Sequence, residues 1–202
     1  MTYWRMDPQS GDFDGEDSNQ TFVRLTIPGD VVNQVSQGEA VVDWDAHGVR
    51  AIADGEPTTD YLFGTELLPI VSGRFKAILN RQGLSDIDYY PLDVNGSGFS
   101  PVRYWVANCR TVIDCIDRSR SLCEVWTKET LNFWEKRPWL LGQFRDVRRA
   151  VLDPEKVGEA RLFRLWGCAI VAVNDGLKTI LENEGLTGIN FWPLDRDLLG
   201  TG

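Results

Sequence analysis

Asp114 and Asp117, three residues apart in TVIDCIDRSRS, are the pair of side chains best spaced for chemistry. Neighbouring carboxylates can split their proton affinities, so that one serves as acid and the other as base. On a helical turn this spacing puts both on one face, whereas on a strand it puts them on opposite faces. Arg118, Ser119 and Ser121 lie beside them and offer hydrogen bonds that would lock the same carboxylates into a polar corner. That structural role is the expectation; a hydrolase using Asp114 and Asp117 is the catalytic alternative.

Other chemistries find less support. The chain has one histidine, His47, in the turn-like DAHGVR, which limits triad schemes. NGSGFS (95–100) lacks the lysine and following helix of a phosphate-binding loop. Cys109, Cys115, Cys123 and Cys168 match no zinc spacing, so no metal and no cofactor are expected. Buried thiols are the simplest reading of all four; a Cys109–Cys123 bridge would need an oxidising compartment. The start, MTYWRMDPQSGDFDGED, has neither the basic end nor the apolar centre of a signal peptide, and a cytoplasmic protein is expected. No apolar run reaches the length of a membrane span.

Charge is distributed unevenly. The chain carries a net −9, and residues 1–60 alone hold twelve Asp or Glu against three Lys or Arg. Asp12, Asp14, Glu16, Asp17, Asp43 and Asp45 are therefore the candidate partner-binding residues. Such a surface repels phosphate, which argues against nucleic acid, and attracts a basic protein.

The positioning elements are a mixture of strands and helices without strict alternation, which predicts an α+β fold with mixed or antiparallel sheets. Strands are expected at 2–6, 21–27, 40–45, 101–109, 144–153 and in RLFRLWG. KETLNFWEKRPWLLGQF (128–144) contains an amphipathic helical stretch cut at Pro138, and Asp153-Pro154 opens a short helical turn. ADGEPTTD (53–60) is rich in turn formers and marks the expected boundary between an acidic part, 1–60, and a main domain, 61–202, in one compact two-lobed body.

One phrase occurs twice. GLSDIDYYPLD (83–93) and GLTGINFWPLD (185–195) close two segments, 68–93 and 170–195, that are identical at ten of twenty-six positions without a gap. Each has a strand, a cap (Ser72, Asn174), an apolar stripe (Phe75, Ile78, Leu79; Leu177, Ile180, Leu181), a glycine stop and a second strand. A duplicated strand–helix–strand unit, about 67–94 and 168–195, is expected as scaffold. Among charged residues only Lys76/Lys178 and Asp93/Asp195 repeat.

YWVANCRTVIDCIDRSRS, LFRLWG and GLTGINF together resemble the bacterial polymorphic-toxin immunity family numbered eleven, of myxobacterial type. The residues that carry the resemblance are Asn108, Asp114, Asp117 and Ser121, then Leu152, Asp153, Lys156, Phe163 and Arg164, then Gly185 to Gly188. It spans roughly Tyr61 to Leu194 and departs from the family pattern over 125–140. The resemblance implies a cytoplasmic protein that binds and neutralises a toxin, with no catalytic residues and with these motif residues holding structure. An adaptor or chaperone for a secreted effector is the remaining alternative.

Overall fold

The computed structural model describes residues 2–8, 22–64, 68–131 and 138–197. The fold is α+β with mixed and antiparallel sheets. After β1 (Tyr3–Pro8), the chain builds a closed barrel from β2 (Phe22–Thr26), β3 (Arg50–Ala53), β4 (Tyr61–Gly64), β5 (Ile70–Val71), β6 (Ile87–Gly96) and β7 (Val102–Cys109), in the order β2-β3-β6-β7-β5-β4. Alternating side chains fill it: Val23 and Leu25, Ala51 and Ala53, Leu92 and Val94, Tyr104 and Val106 all point inward. Two helices belong to this half, α1 (Gly29–Ser36), which adds Val31 and Val35 to that core, and α2 (Gly73–Arg81). Closure leaves no free barrel edge to pair with another chain.

The second half is an open sheet and a ribbon. Its elements are β8 (Val112–Ile113), β9 (Leu122–Val125), α3 (Lys128–Leu131), β10 (Phe144–Arg149), α4 (Pro154–Val157), β11 (Leu162–Leu165), β12 (Val171–Asn174), α5 (Asp175–Asn183) and β13 (Ile189–Pro193). The sheet order is β13-β1-β12-β11-β8, and β9 pairs with β10 alone. β1 therefore joins strands some 170 residues further along the chain: Met6 lies opposite Val171 on one side and Phe191 on the other.

The expected boundary at 53–60 connects β3 to β4, both staves of one barrel, and β2 on its near side pairs with β4 on its far side. The strand expected at 40–45 is not formed. Asp43 takes a left-handed backbone (φ 52°) and a 3₁₀ turn follows at Trp44–His47. Trp44 decides this: its ring stacks on Tyr90 at 4.7 Å and its indole N–H donates to the Pro91 carbonyl at 2.8 Å. A buried aromatic with a satisfied polar end outweighs the modest strand preference of AVVDWD. The helical stretch expected over 128–144 is described as α3 and a 3₁₀ turn at Pro138–Leu140, with 132–137 outside the described residues.

Each of the two similar segments folds into strand, capped helix and strand. The Ser72 hydroxyl accepts from the Phe75 N–H and the Asn174 side-chain Oδ1 from the Leu177 N–H, satisfying free donors at the starts of α2 and α5. The segments join different sheets, but by similar pairings. β5 and β6 flank β7 in antiparallel fashion, and β12 and β13 flank β1 in the same way. Phe75, Ile78 and Leu79 meet Leu177 and Leu181 in one core between barrel and sheet. Ile180 departs from its counterpart Ile78 in being only partly buried.

Candidate functional site

Asp117 is the best-determined of the candidate carboxylates. It accepts hydrogen bonds from the Ser119 hydroxyl at 2.6 Å, the Ser119 backbone N–H at 3.0 Å and Arg120 Nε at 2.6 Å. The Ser119 and Arg120 hydrogen bonds hold its carboxyl down at about 2, well below the usual value of 3.8. Its backbone N–H and the Ser121 hydroxyl are both bound to Val151, so the turn 117–121 is stapled to the strand exit after β10. Arg118 instead lays its guanidinium over the rings of Phe144 and Trp166, at 5.1 and 5.9 Å. Asp114 is exposed, and neither aspartate lines either of the two described clefts. The polar corner is present, with Ser119 and Arg120 as its donors; converging carboxylates in an open pocket are not.

The other motif residues are placed as follows. Phe163 is fully buried against the edge of Tyr3, ring centres 5.4 Å apart. Gly185 and Gly188 have φ of +62° and +76°, and a Cβ at Gly188 would meet the Tyr61 carbonyl oxygen at 2.4 Å. That close approach lets Thr187 reach Asp60: its N–H and hydroxyl donate to Asp60 Oδ2 at 3.1 and 3.2 Å. The same carboxylate accepts from Ser72 Oγ at 2.6 Å and Arg74 at 3.2 Å, and Arg74 also donates to the Glu184 and Gly185 carbonyls that end α5. Asp60 thus latches the start of α2 to the stop of α5. Nothing in a single sequence marks it, because its partners lie up to 127 residues away.

Asn108 has a positioning role. Buried at the end of β7, it donates from its amide to the Glu39 carbonyl at 2.7 Å. Arg110 Nε donates to the Gly38 carbonyl at 2.5 Å, and the Val41 N–H donates to the Tyr90 hydroxyl at 2.8 Å. Three anchors and the Trp44 stack therefore fix the segment that displays Asp43 and Asp45. Both aspartates are exposed, and neither is in an ion pair among the described residues. Val42 beside them is 74% exposed, a large apolar surface for so constrained a turn. Asp12, Asp14, Glu16 and Asp17 lie outside the described residues.

A cleft of about 390 Å³ opens between barrel and sheet, with Arg5, Asp7, Tyr61, Trp139, Gln143 and Cys168 among its walls. Arg5 and Asp7 pair at 2.5 Å. Among the described residues no group of three or more His, Cys, Asp or Glu is arranged to hold a metal ion. The four cysteines are free; Cys109 and Cys115 are buried as expected, whereas Cys123 and Cys168 are only partly so, and desolvation pushes Cys115 and Cys168 up to about 12 and about 11. Cys115 and Cys168 are therefore thiols rather than thiolates at neutral pH, so they are poor nucleophiles and poor ligands.

A family model described as an immunity protein family, Imm11, matches residues 50–196. The chain belongs to the Imm11 immunity protein family. A search of curated proteins gave no match. The Imm11 match begins at the first residue of β3 and ends just past β13, so β1, β2 and α1 fall outside it although β1 and β2 complete the two sheets. The acidic turn also precedes the Imm11 match, whereas its anchors Tyr90, Asn108 and Arg110 lie within it. No helix among the described residues of this Imm11 protein is long and apolar enough to cross a membrane.

Proposed function

We propose that this protein binds and neutralises one cognate bacterial toxin by protein–protein contact, in the cytoplasm, without acting on it chemically. The observation that carries the proposal is the Imm11 match over residues 50–196. The geometry is in keeping with it. Asp117 is engaged in a turn, the buried thiols are protonated, and the exposed acidic turn is held rigidly by the scaffold. Free cysteines suit a reducing compartment.

Within that reading, Val42, Asp43 and Asp45 form part of the docking surface. A preformed turn loses little conformational entropy on binding, and its exposed carboxylates are available to a basic partner. The acidic first sixty residues, Asp12, Asp14, Glu16 and Asp17 included, extend the same charge bias. The test is co-expression with the toxin encoded by the neighbouring reading frame, followed by co-purification. Restored growth together with a stable complex supports neutralisation. A complex without restored growth assigns the protein to the adaptors of secreted effectors, and the absence of both a complex and restored growth overturns the proposal.

A further inference from the structure

We propose that the open edge of β13, centred on Trp192, is a docking site for an extended segment of the toxin that carries a tryptophan or tyrosine. The choice of partner rests on the immunity reading; the site itself follows from the strand register and from the counterpart strand in the barrel.

β13 is the last strand of the open sheet, and among the described residues only β1 pairs with it. The Leu194 N–H donates to the Tyr3 carbonyl at 3.1 Å, so Tyr3 and Leu194 form a hydrogen-bonded pair of this antiparallel ladder. Bonded and non-bonded pairs alternate, which turns the main-chain groups of Asn190 and Trp192 towards β1. Those of Ile189, Phe191 and Pro193 point to the open side. The register runs without a break, and Ile189–Pro193 contains no charged residue. Bulges and edge charges are the usual means of blunting such an edge; without them it is a template for another strand.

β6, the counterpart of β13, shows what this edge takes up. Residues 87–93 align with 189–195 without a gap, and Pro91 lies opposite Trp105 in β7 as Pro193 lies opposite Trp4 in β1. Tyr90 therefore corresponds to Trp192. In the barrel the Trp44 ring roofs Tyr90, stacked at 4.7 Å with the planes 12° apart, and its indole N–H reaches the Pro91 carbonyl at 2.8 Å. Tyr90 is left 9% exposed, whereas Trp192 is 46% exposed. The Pro193 carbonyl accepts from the Arg196 N–H at 3.3 Å, which leaves it a second lone pair. β13 thus presents the ring and the outward carbonyl that β6 covers with a tryptophan. A partner strand bearing Trp or Tyr would supply both the stacked ring and the donor. A second copy of this chain fits less well. Two copies paired about Trp192 would stack the rings, but each Phe191 would face a Pro193 with no N–H to return. Packing of this kind acts at short range, so it sets how long the complex lasts, while the charges of the 42–47 turn act on the encounter.

The experiment uses the full chain and an inactivated form of the toxin encoded by the neighbouring reading frame. Amide hydrogen exchange is followed with and without the toxin, and dissociation is measured from immobilised toxin. Binding should slow exchange at Ile189 and Phe191 by about tenfold or more. Trp192→Ser should raise the dissociation rate about tenfold without altering the salt dependence of association, and Trp192→Phe, which keeps a ring, should stay within about threefold of wild type. Trp192 lies outside the cores, so neither variant removes buried packing. Unchanged exchange at the two amides, or a Trp192→Ser complex as long-lived as the wild-type one, overturns the site and leaves the immunity reading standing. A dimer of the isolated protein that Trp192→Ser dissolves also overturns it, because the edge then belongs to a second copy. So does slow exchange of both amides in the isolated monomer, because the chain itself then covers the edge. A wild type that forms no complex with the toxin is a different failure: it removes the immunity reading, and this partner with it.

Discussion

Asp60 and Asp117 are both engaged carboxylates, but they carry different amounts of the fold. Asp60 is 8% exposed and takes hydrogen bonds from Ser72, Arg74 and Thr187, so it ties together α2 and the turn that ends α5. Asp60→Ala removes the shared acceptor of several part-buried hydrogen bonds, and we expect it to cost about 2 kcal/mol, read as a lower denaturant midpoint with an unchanged slope. A loss below about 1 kcal/mol would mean that water replaces the carboxylate easily. Asp117 acts on an exposed turn, and its signature is pH dependence. Its carboxyl is lowered from 3.8 to about 2, so its contribution to stability is present above about pH 4 and disappears as pH falls through about 2. Denaturation of Asp117→Asn at a series of pH values should show the gap from wild type closing across that window. The sequence made the polar corner at 114–121 legible, because Asp, Arg and Ser at close spacing can only bond locally or reach solvent. It did not reveal which serine and arginine would bond, since Arg118 is drawn away by Phe144 and Trp166, residues from other parts of the chain.

Among the elements, α2 and α5 were legible because everything that defines them is local: cap, apolar stripe and glycine stop fall within a dozen residues. Ser72→Ala and Asn174→Ala should each cost about 1 kcal/mol, measured by denaturant unfolding, as the loss of one capped N–H does elsewhere. Unequal losses would reveal that one helix start is held by its surroundings, with Asp60 beside Ser72 the natural cause. The turn after α5 is more exacting. Gly188→Ala adds a methyl 2.4 Å from the Tyr61 carbonyl oxygen at φ +76°, and should destabilise by more than about 2 kcal/mol. Gly98→Ala is the control: φ is +90° there but nothing lies within 4 Å, so only the backbone penalty of about 1 kcal/mol applies. What the sequence concealed at this scale is pairing. β3, β4 and β5 are four residues or fewer, too short for a period-two pattern, and β1 finds both its neighbours at the far end of the chain. The 42–47 turn was misread for the same reason: Tyr90 and Pro91, which fix it, lie more than forty residues away.

For the whole molecule, the net charge of −9 matters less than where it can be presented. Several acidic side chains further along the chain are spent on arginines: Asp93 on Arg103, Asp88 on Arg110, Asp117 on Arg120, Asp197 on Arg148. Asp43 and Asp45 remain exposed on a turn anchored from barrel strands by Tyr90, Pro91 and Asn108. Steering by such charges acts on the encounter and is weakened by salt, while short-range packing governs dissociation. The double variant Asp43→Lys/Asp45→Lys should therefore bind the cognate toxin with an association rate lowered about tenfold at low salt and with a shallower dependence on sodium chloride. Val42→Asp, which places a third charge where an apolar contact is expected, should instead raise the dissociation rate. Surface-immobilised toxin measured across a salt series separates the two effects. An unchanged association rate in the double lysine variant would move the docking surface away from this turn, while leaving the scaffold argument for Asn108, Arg110 and Trp44 as it stands.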